Sequence, residues 1–189
     1  MMPKTALRLA LFGALAAAFD GGHPWWDQWA QRHHDAVHKG RHGADPVYLD
    51  GTPVVAAPER QRAGERVVTE TRLGRRACTG HVLTYSMGQV ITAVAITRSA
   101  GYRIPARALL VGSVINAGTH WVLDRRQPLL RAARALGKQT YLEYGTVVRK
   151  PGEDPDAYGP GSAVMELDQA AHRLVGVMAA AVTTWLATR

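Results

Sequence analysis

The sequence predicts an all-α fold, a four-helix transmembrane bundle with a polar, partly β-hairpin insertion between its first two helices. Three observations predict it. Hydrophobic content of 47% is ordinary, but the apolar residues are segregated into four blocks with charged tracts between them. Trp25, Trp26, Trp29, Trp121 and Trp185 lie at block edges, where an amphipathic ring suits the boundary between water and lipid. His–Asp pairs four residues apart recur at block ends, and ionisable groups near lipid are costly and are usually kept for a purpose. A length of 189 residues fits one domain, read as a single membrane domain over 1–189 with a surface insertion at 40–76 and a polar loop at 125–165.

Taken in order, Lys4 and Arg8 precede an apolar run over 9–19. Ala16-Ala17-Ala18 has the small residues of a signal-peptidase site, so residues 1–18 also admit a cleaved signal peptide. The helical pattern does not stop there. His23, Asp27, Gln31, His34 and His38 continue along one face in steps of three or four, which favours a retained first helix with a His-rich extension. Gly21, Gly22 and Pro24 predict a kink or a fresh helix start near Asp20.

Residues 40–76 are polar and rich in turn signals. Residues 47–55 read as a small hairpin turning at Asp50-Gly51, and 65–72 alternates enough to add a strand. No chemistry is legible in this stretch. The second block, 77–97, carries no charge over about 20 residues, enough to cross a bilayer. Its Gly88, Ala93 and Ala95 are small residues that let helices approach closely. A turn with Gly101 and Pro105 leads to the third block, 106–123. A basic helical piece at 129–136 and a Pro/Gly/Asp loop then precede the fourth block, 165–186.

If all four blocks cross, alternating direction carries His23, Asp27, His81, His120, Asp124, Asp168 and His172 to one membrane face. Sixteen Lys or Arg lie in 32–76 and 125–150 on that face, against Lys4, Arg8, Arg98, Arg103, Arg107 and Arg189 on the other. The positive-inside rule then predicts a multi-pass protein of the inner (cytoplasmic) membrane with this site facing the cytoplasm and both termini outside. The net charge of +8 suits nucleic acid or an anionic lipid surface. With four apolar blocks the expected partner is membrane lipid, and no nucleic acid is expected. The single Cys78 excludes an internal disulfide.

Random placement of the eight His and nine Asp gives roughly 0.8 His–Asp pairs four apart. Three occur, His23/Asp27, His120/Asp124 and Asp168/His172. Each alone reads better as a local ion pair or hydrogen bond, but together with His81 they supply ligands for one divalent metal with carboxylate partners, or for two. His and carboxylate ligands suit zinc, manganese or iron, and spacing does not choose among these. Asp27 and Asp168 are the candidate general bases. Cys78 reads better as a small packed residue than as a thiolate ligand, and His33, His34, His38 and His42 as a solvated polar face. Lys39, Arg125 and Arg126 either hold a phosphate or anchor the chain at the interface. There is no glycine-rich phosphate loop, nucleophile elbow or zinc-finger spacing.

The order and spacing of His23, Asp27, Gln31, Lys39, His81, His120, Asp124, Asp168, Gln169 and His172 resemble a family of small bacterial and phage integral membrane proteins. That family is catalogued as domain of unknown function 3307, and the actinobacterial and actinophage branch is the most similar. The motifs cover the four apolar blocks. Pro24-Trp25-Trp26 and the long 40–76 insertion depart from the family pattern. The resemblance implies a helical membrane domain, and a looser similarity to membrane-bound metal-dependent hydrolases implies hydrolysis of a lipid or lipid-linked phosphate. Two other readings compete. One is a non-enzymatic membrane protein for host interaction or solute and proton handling, with structural His–Asp pairs; the other is a soluble basic protein, secreted or nucleic-acid-binding.

Overall fold

The structure, a computed structural model, describes residues 3–189 and is 69% helical. Its elements are α1 (Lys4–Trp29), α2 (His33–His38), β1 (Pro46–Tyr48), α3 (Pro58–Arg62), β2 (Val67–Thr69), α4 (Glu70–Ser99), α5 (Ala106–Asp124), α6 (Gln127–Ala135), α7 (Gln139–Tyr144) and α8 (Ala163–Ala187). Local chemistry sets the long helices' starts. Thr69 caps α4 by accepting from the Arg72 N–H at 3.2 Å, and Ser162 caps α8 by accepting from Met165 at 3.3 Å. Pro3 and Pro105, at N-cap positions, open α1 and α5.

The expectation of four membrane crossings is corrected. Among the described residues, only Lys4–Trp29 and Ala163–Ala187 are long and apolar enough to span a bilayer. Core helices of soluble proteins and, near an N-terminus, signal sequences satisfy the same criterion. α4 begins with Glu70, Arg72, Arg75 and Arg76 and carries Gln89 and several threonines. α5 carries Arg107, Ser113, Asn116, Thr119, His120 and Asp124. Both helices give much of their length to a polar inner face, with His81, Gln89, Asn116, His120 and Asp124 buried.

Of the kink or fresh helix start expected near Asp20, the fresh start is absent, while the helix is locally distorted at that point. α1 continues to Trp29 by widening into π turns at Ala17–Gly21 and Trp25–Trp29. Pro24 brings no N–H, and the carbonyl of Phe19, which a π register would offer to residue 24, accepts from Gln89 Nε2 at 3.1 Å.

Leu11, Leu15, Ala18 and Phe19 of α1 form the main core with Ala93 of α4 and Ala179 and Ala180 of α8. Gly112 of α5 sits against Thr183 and the Ala179 carbonyl of α8, and Gly88 leaves the space that the Trp26 ring fills. A smaller cluster, Leu129, Ala133, Leu142 and Val164, ties α6 and α7 to the start of α8.

In the 40–76 insertion the turn at Asp50-Gly51 forms, but its return arm makes only an isolated bridge, Val47 to Pro53. The ladder pairs β1 instead with β2, antiparallel, with Val47 opposite Val68. Pro53 has no N–H to give, so the hairpin cannot extend.

Candidate metal centre

The last turns of α1, the first half of α4, the C-terminal end of α5 and the first turns of α8 meet at one place. They bring together buried His23 and Asp27, His81, His120 and Asp124, and His172, with Asp168 at the edge. His81 Nε2 lies 3.0 Å from Asp27 Oδ1, 3.0 Å from His120 Nε2 and 3.3 Å from Asp124 Oδ2. His120 Nε2 is 3.3 Å from both Asp27 Oδ1 and Asp124 Oδ2.

Those separations have a specific meaning. Ligand bonds of about 2.0 Å put neighbouring donors about 3.3 Å apart at the corners of a tetrahedron. Hydrogen bonding accounts for the contacts less well. Two neutral imidazole nitrogens can share only one proton, and Asp124 Oδ2 accepts no hydrogen bond despite two such nitrogens beside it. Asp27, His81, His120 and Asp124 can therefore hold a metal ion. The donor set is nitrogen and oxygen only, which suits zinc, manganese or iron and does not identify which.

A second group, Asp124, Asp168 and His172, adjoins the first through Asp124, its ligand atoms within 4.8 Å of one another. The His172 Nδ1–H donates to the Asp168 carbonyl at 2.8 Å, leaving Nε2 buried and unpaired 4.0 Å from Asp124 Oδ1. That is how a backbone carbonyl fixes the tautomer of a ligating histidine. His23 belongs to neither set. Its Nδ1 lies 3.1 Å from the Tyr85 hydroxyl and its Nε2 3.7 Å from Asp27 Oδ2.

Asp27, named from sequence as both ligand and base, contributes Oδ1 to the four-atom set, while Gln169 Nε2 donates to its Oδ2 at 3.1 Å. Lys39 Nζ stands 2.9 Å from Asp124 Oδ1 and 3.7 Å from Asp27 Oδ1. Burial works against its ammonium, but Asp124 and Asp27 outweigh burial and raise its pKa. Burial alone would likewise raise the Asp124 carboxyl; Lys39 and His120 hold it well below the usual carboxylate range.

Other sequence candidates resolve differently. Burial and the Asp124 charge push the Cys78 thiol up to about 12, and its Sγ donates to the Trp121 carbonyl, so it is a packed residue and no ligand. Of the four histidines read as a solvated polar face, His33, His34 and His42 are exposed and His38 is buried. His34 and His38 donate to the Leu49 and Asp50 carbonyls at 2.8 and 2.9 Å and staple α2 to the Asp50-Gly51 turn. His42 donates to the Arg125 carbonyl and accepts from the Arg125 guanidinium. Arg125 is buried against Gly74, its other donors spent on the Lys39 and Arg41 carbonyls.

Sequence reading missed Tyr85, Gln89 and Asn116. Gln89 and Asn116 both donate to the Tyr85 hydroxyl, forming a polar floor beneath the histidines. The signal was present: 81, 85 and 89 lie on one face of α4, and 116, 120 and 124 on one face of α5.

The cluster opens into a pocket of about 180 Å³ whose walls include Asp27, Lys39, Asp124, Arg126, Asp168 and Gln169. No protein-family model, curated protein or solved structure matches this chain.

Proposed function

We propose that the protein is a metal-dependent hydrolase of a lipid or phosphate-bearing substrate, working at a membrane. The single observation carrying the reading is the set of four ligand atoms of Asp27, His81, His120 and Asp124, spaced for one ion at the inner end of a pocket. A divalent metal held there would lower the pKa of a bound water to near neutrality and supply the nucleophile. Gln169 fixes the Asp27 carboxylate so that Oδ1 points into the set. Asp168, half-buried on the pocket wall, is the carboxylate placed to take a proton from a water in the pocket. Lys39 offsets part of the carboxylate charge and keeps the cluster assembled before the ion arrives.

The membrane part of the proposal rests on the two apolar helices α1 and α8 and on outward apolar side chains such as Leu9, Leu174, Met178 and Trp185. The basic flanks near the site favour the cytoplasmic side. The motif resemblance to the bacterial and phage membrane-protein family belongs to the same proposal. One observation favours a second, non-enzymatic reading: Lys39 already neutralises part of the carboxylate charge, as a structural or proton-handling network would require.

One experiment separates the two. The membrane fraction of cells expressing the chain should hydrolyse a generic phosphoester, lose that activity to a chelator and regain it with zinc or manganese. Activity that survives chelation, or that is absent from the membrane fraction, contradicts the proposal.

A further inference from the structure

Arg126 departs from ordinary backbone geometry. It is the one non-glycine with positive φ among the described residues, at φ 57° and ψ −48°. The Gln127 N–H donates to the Arg125 carbonyl at 2.6 Å, so Arg126 is the centre of a tight γ-turn joining α5 to α6. Glycine would suit that turn without strain, as Gly137, at φ 74°, does after the next helix. The side chain at 126 is instead a long cation.

The guanidinium is also unspent. Arg125 donates to two carbonyls and Lys39 is paired with Asp124, whereas Arg126 makes no side-chain hydrogen bond and no ion pair among the described residues. It is nonetheless positioned. Its Cζ lies 4.5 Å from the centre of the Tyr158 ring, and Gly40 gives it room where any Cβ would collide with Nε. The Tyr158 platform is itself pinned, since Arg149 donates to the Tyr158 and Pro160 carbonyls at 2.9 and 2.7 Å. Arg126 and Tyr158 share the pocket with Asp27, Asp124 and Asp168.

We infer that Arg126 is a phosphate-binding arm, held over the pocket to grip the phosphate group of the substrate beside the metal centre. A planar guanidinium with free donors matches a phosphate in two-pronged fashion, and its contact with the Tyr158 ring holds the charge at the pocket in advance. This rests on the hydrolase reading only for what happens to the phosphate after it is bound. The phosphate group comes either from a soluble phosphoester or from a phosphorylated lipid headgroup.

The test is calorimetric titration of the full chain in detergent with inorganic phosphate, and separately with micelles carrying phosphatidic acid or only phosphatidylcholine. Wild-type protein should bind phosphate or the phosphatidic acid micelles. Arg126→Gln, which keeps the backbone strain and removes the charge, should weaken binding roughly 10- to 100-fold. Arg126→Gly should lose binding equally while its melting temperature rises by roughly 2–4 °C, because the strained turn is relieved. Response to phosphate alone assigns a soluble substrate, and response to phosphatidic acid alone assigns a lipid one. No binding to either probe, unchanged binding in Arg126→Gln, or a lower melting temperature in Arg126→Gly overturns the inference. Metal content of the same preparations keeps the two readings apart. Arg126-dependent binding without metal would remove the hydrolase and leave the arm, and metal without phosphate binding would do the reverse.

Discussion

Three neighbouring cations, Lys39, Arg125 and Arg126, are put to three uses. Arg125 is a structural pin, Lys39 a counter-charge, and Arg126 an unspent donor. The strain at Arg126 costs about 1–3 kcal/mol, and a partly exposed stack on Tyr158 returns about 0.5–1, so the stack alone does not account for an arginine there. Lys39 makes a separate prediction. Replacing one partner of a buried ion pair costs about 3–5 kcal/mol because the remaining charge is uncompensated. Lys39→Met should therefore lower the melting temperature of metal-free protein strongly, and that of metal-loaded protein much less, because the ion compensates Asp124 and Asp27. An equal loss in both forms would show that the metal does not sit on these carboxylates. The three His–Asp pairs were legible because helical periodicity puts positions four apart on one face. Which cation was spent was not legible, because that depends on carbonyls and carboxylates brought from distant segments, as with Lys39 and Asp124.

Among the elements, α1 shows how one helix serves both core and site. Its π turns let Gly21, Gly22 and Pro24 lie within a continuous helix, so the chain reaches Asp27 without a break. Gln89 supports this by donating to the Phe19 carbonyl and to the Tyr85 hydroxyl. Gln89→Leu should destabilise the fold by about 1–3 kcal/mol, since two buried acceptors lose a donor, and thermal melting would register it. A melting temperature equal to wild type would show that neither bond matters. Gly21, Gly22 and Pro24 predicted a kink or a fresh helix start near Asp20; the distortion is there as a π turn, a register that nothing local announces. The added strand at 65–72 was legible from alternation, as was the Asp50-Gly51 turn. The partner of β1 was not, because Pro53 stops the nearer pairing and the choice then lies twenty residues away.

At the scale of the whole molecule, four helical segments bring seven His and Asp groups to one place, yet among the described residues only α1 and α8 have the length and apolarity of a span. The apolar blocks of α4 and α5 were legible, but their inward polar residues, from His81 to Gln89 and from Asn116 to Asp124, leave both helices short of the apolarity of a span. Convergence of the groups follows from how the helices pack and does not depend on the number of crossings. The proposed function stands on Asp27, His81, His120 and Asp124 holding a metal. Elemental analysis of the purified full chain tests this most directly. At least about one equivalent of zinc, manganese or iron per chain is expected, lost when His120→Ala and Asp124→Asn are combined in a protein that still folds. A folded wild-type protein with no stoichiometric transition metal, even after incubation with these ions, would contradict it.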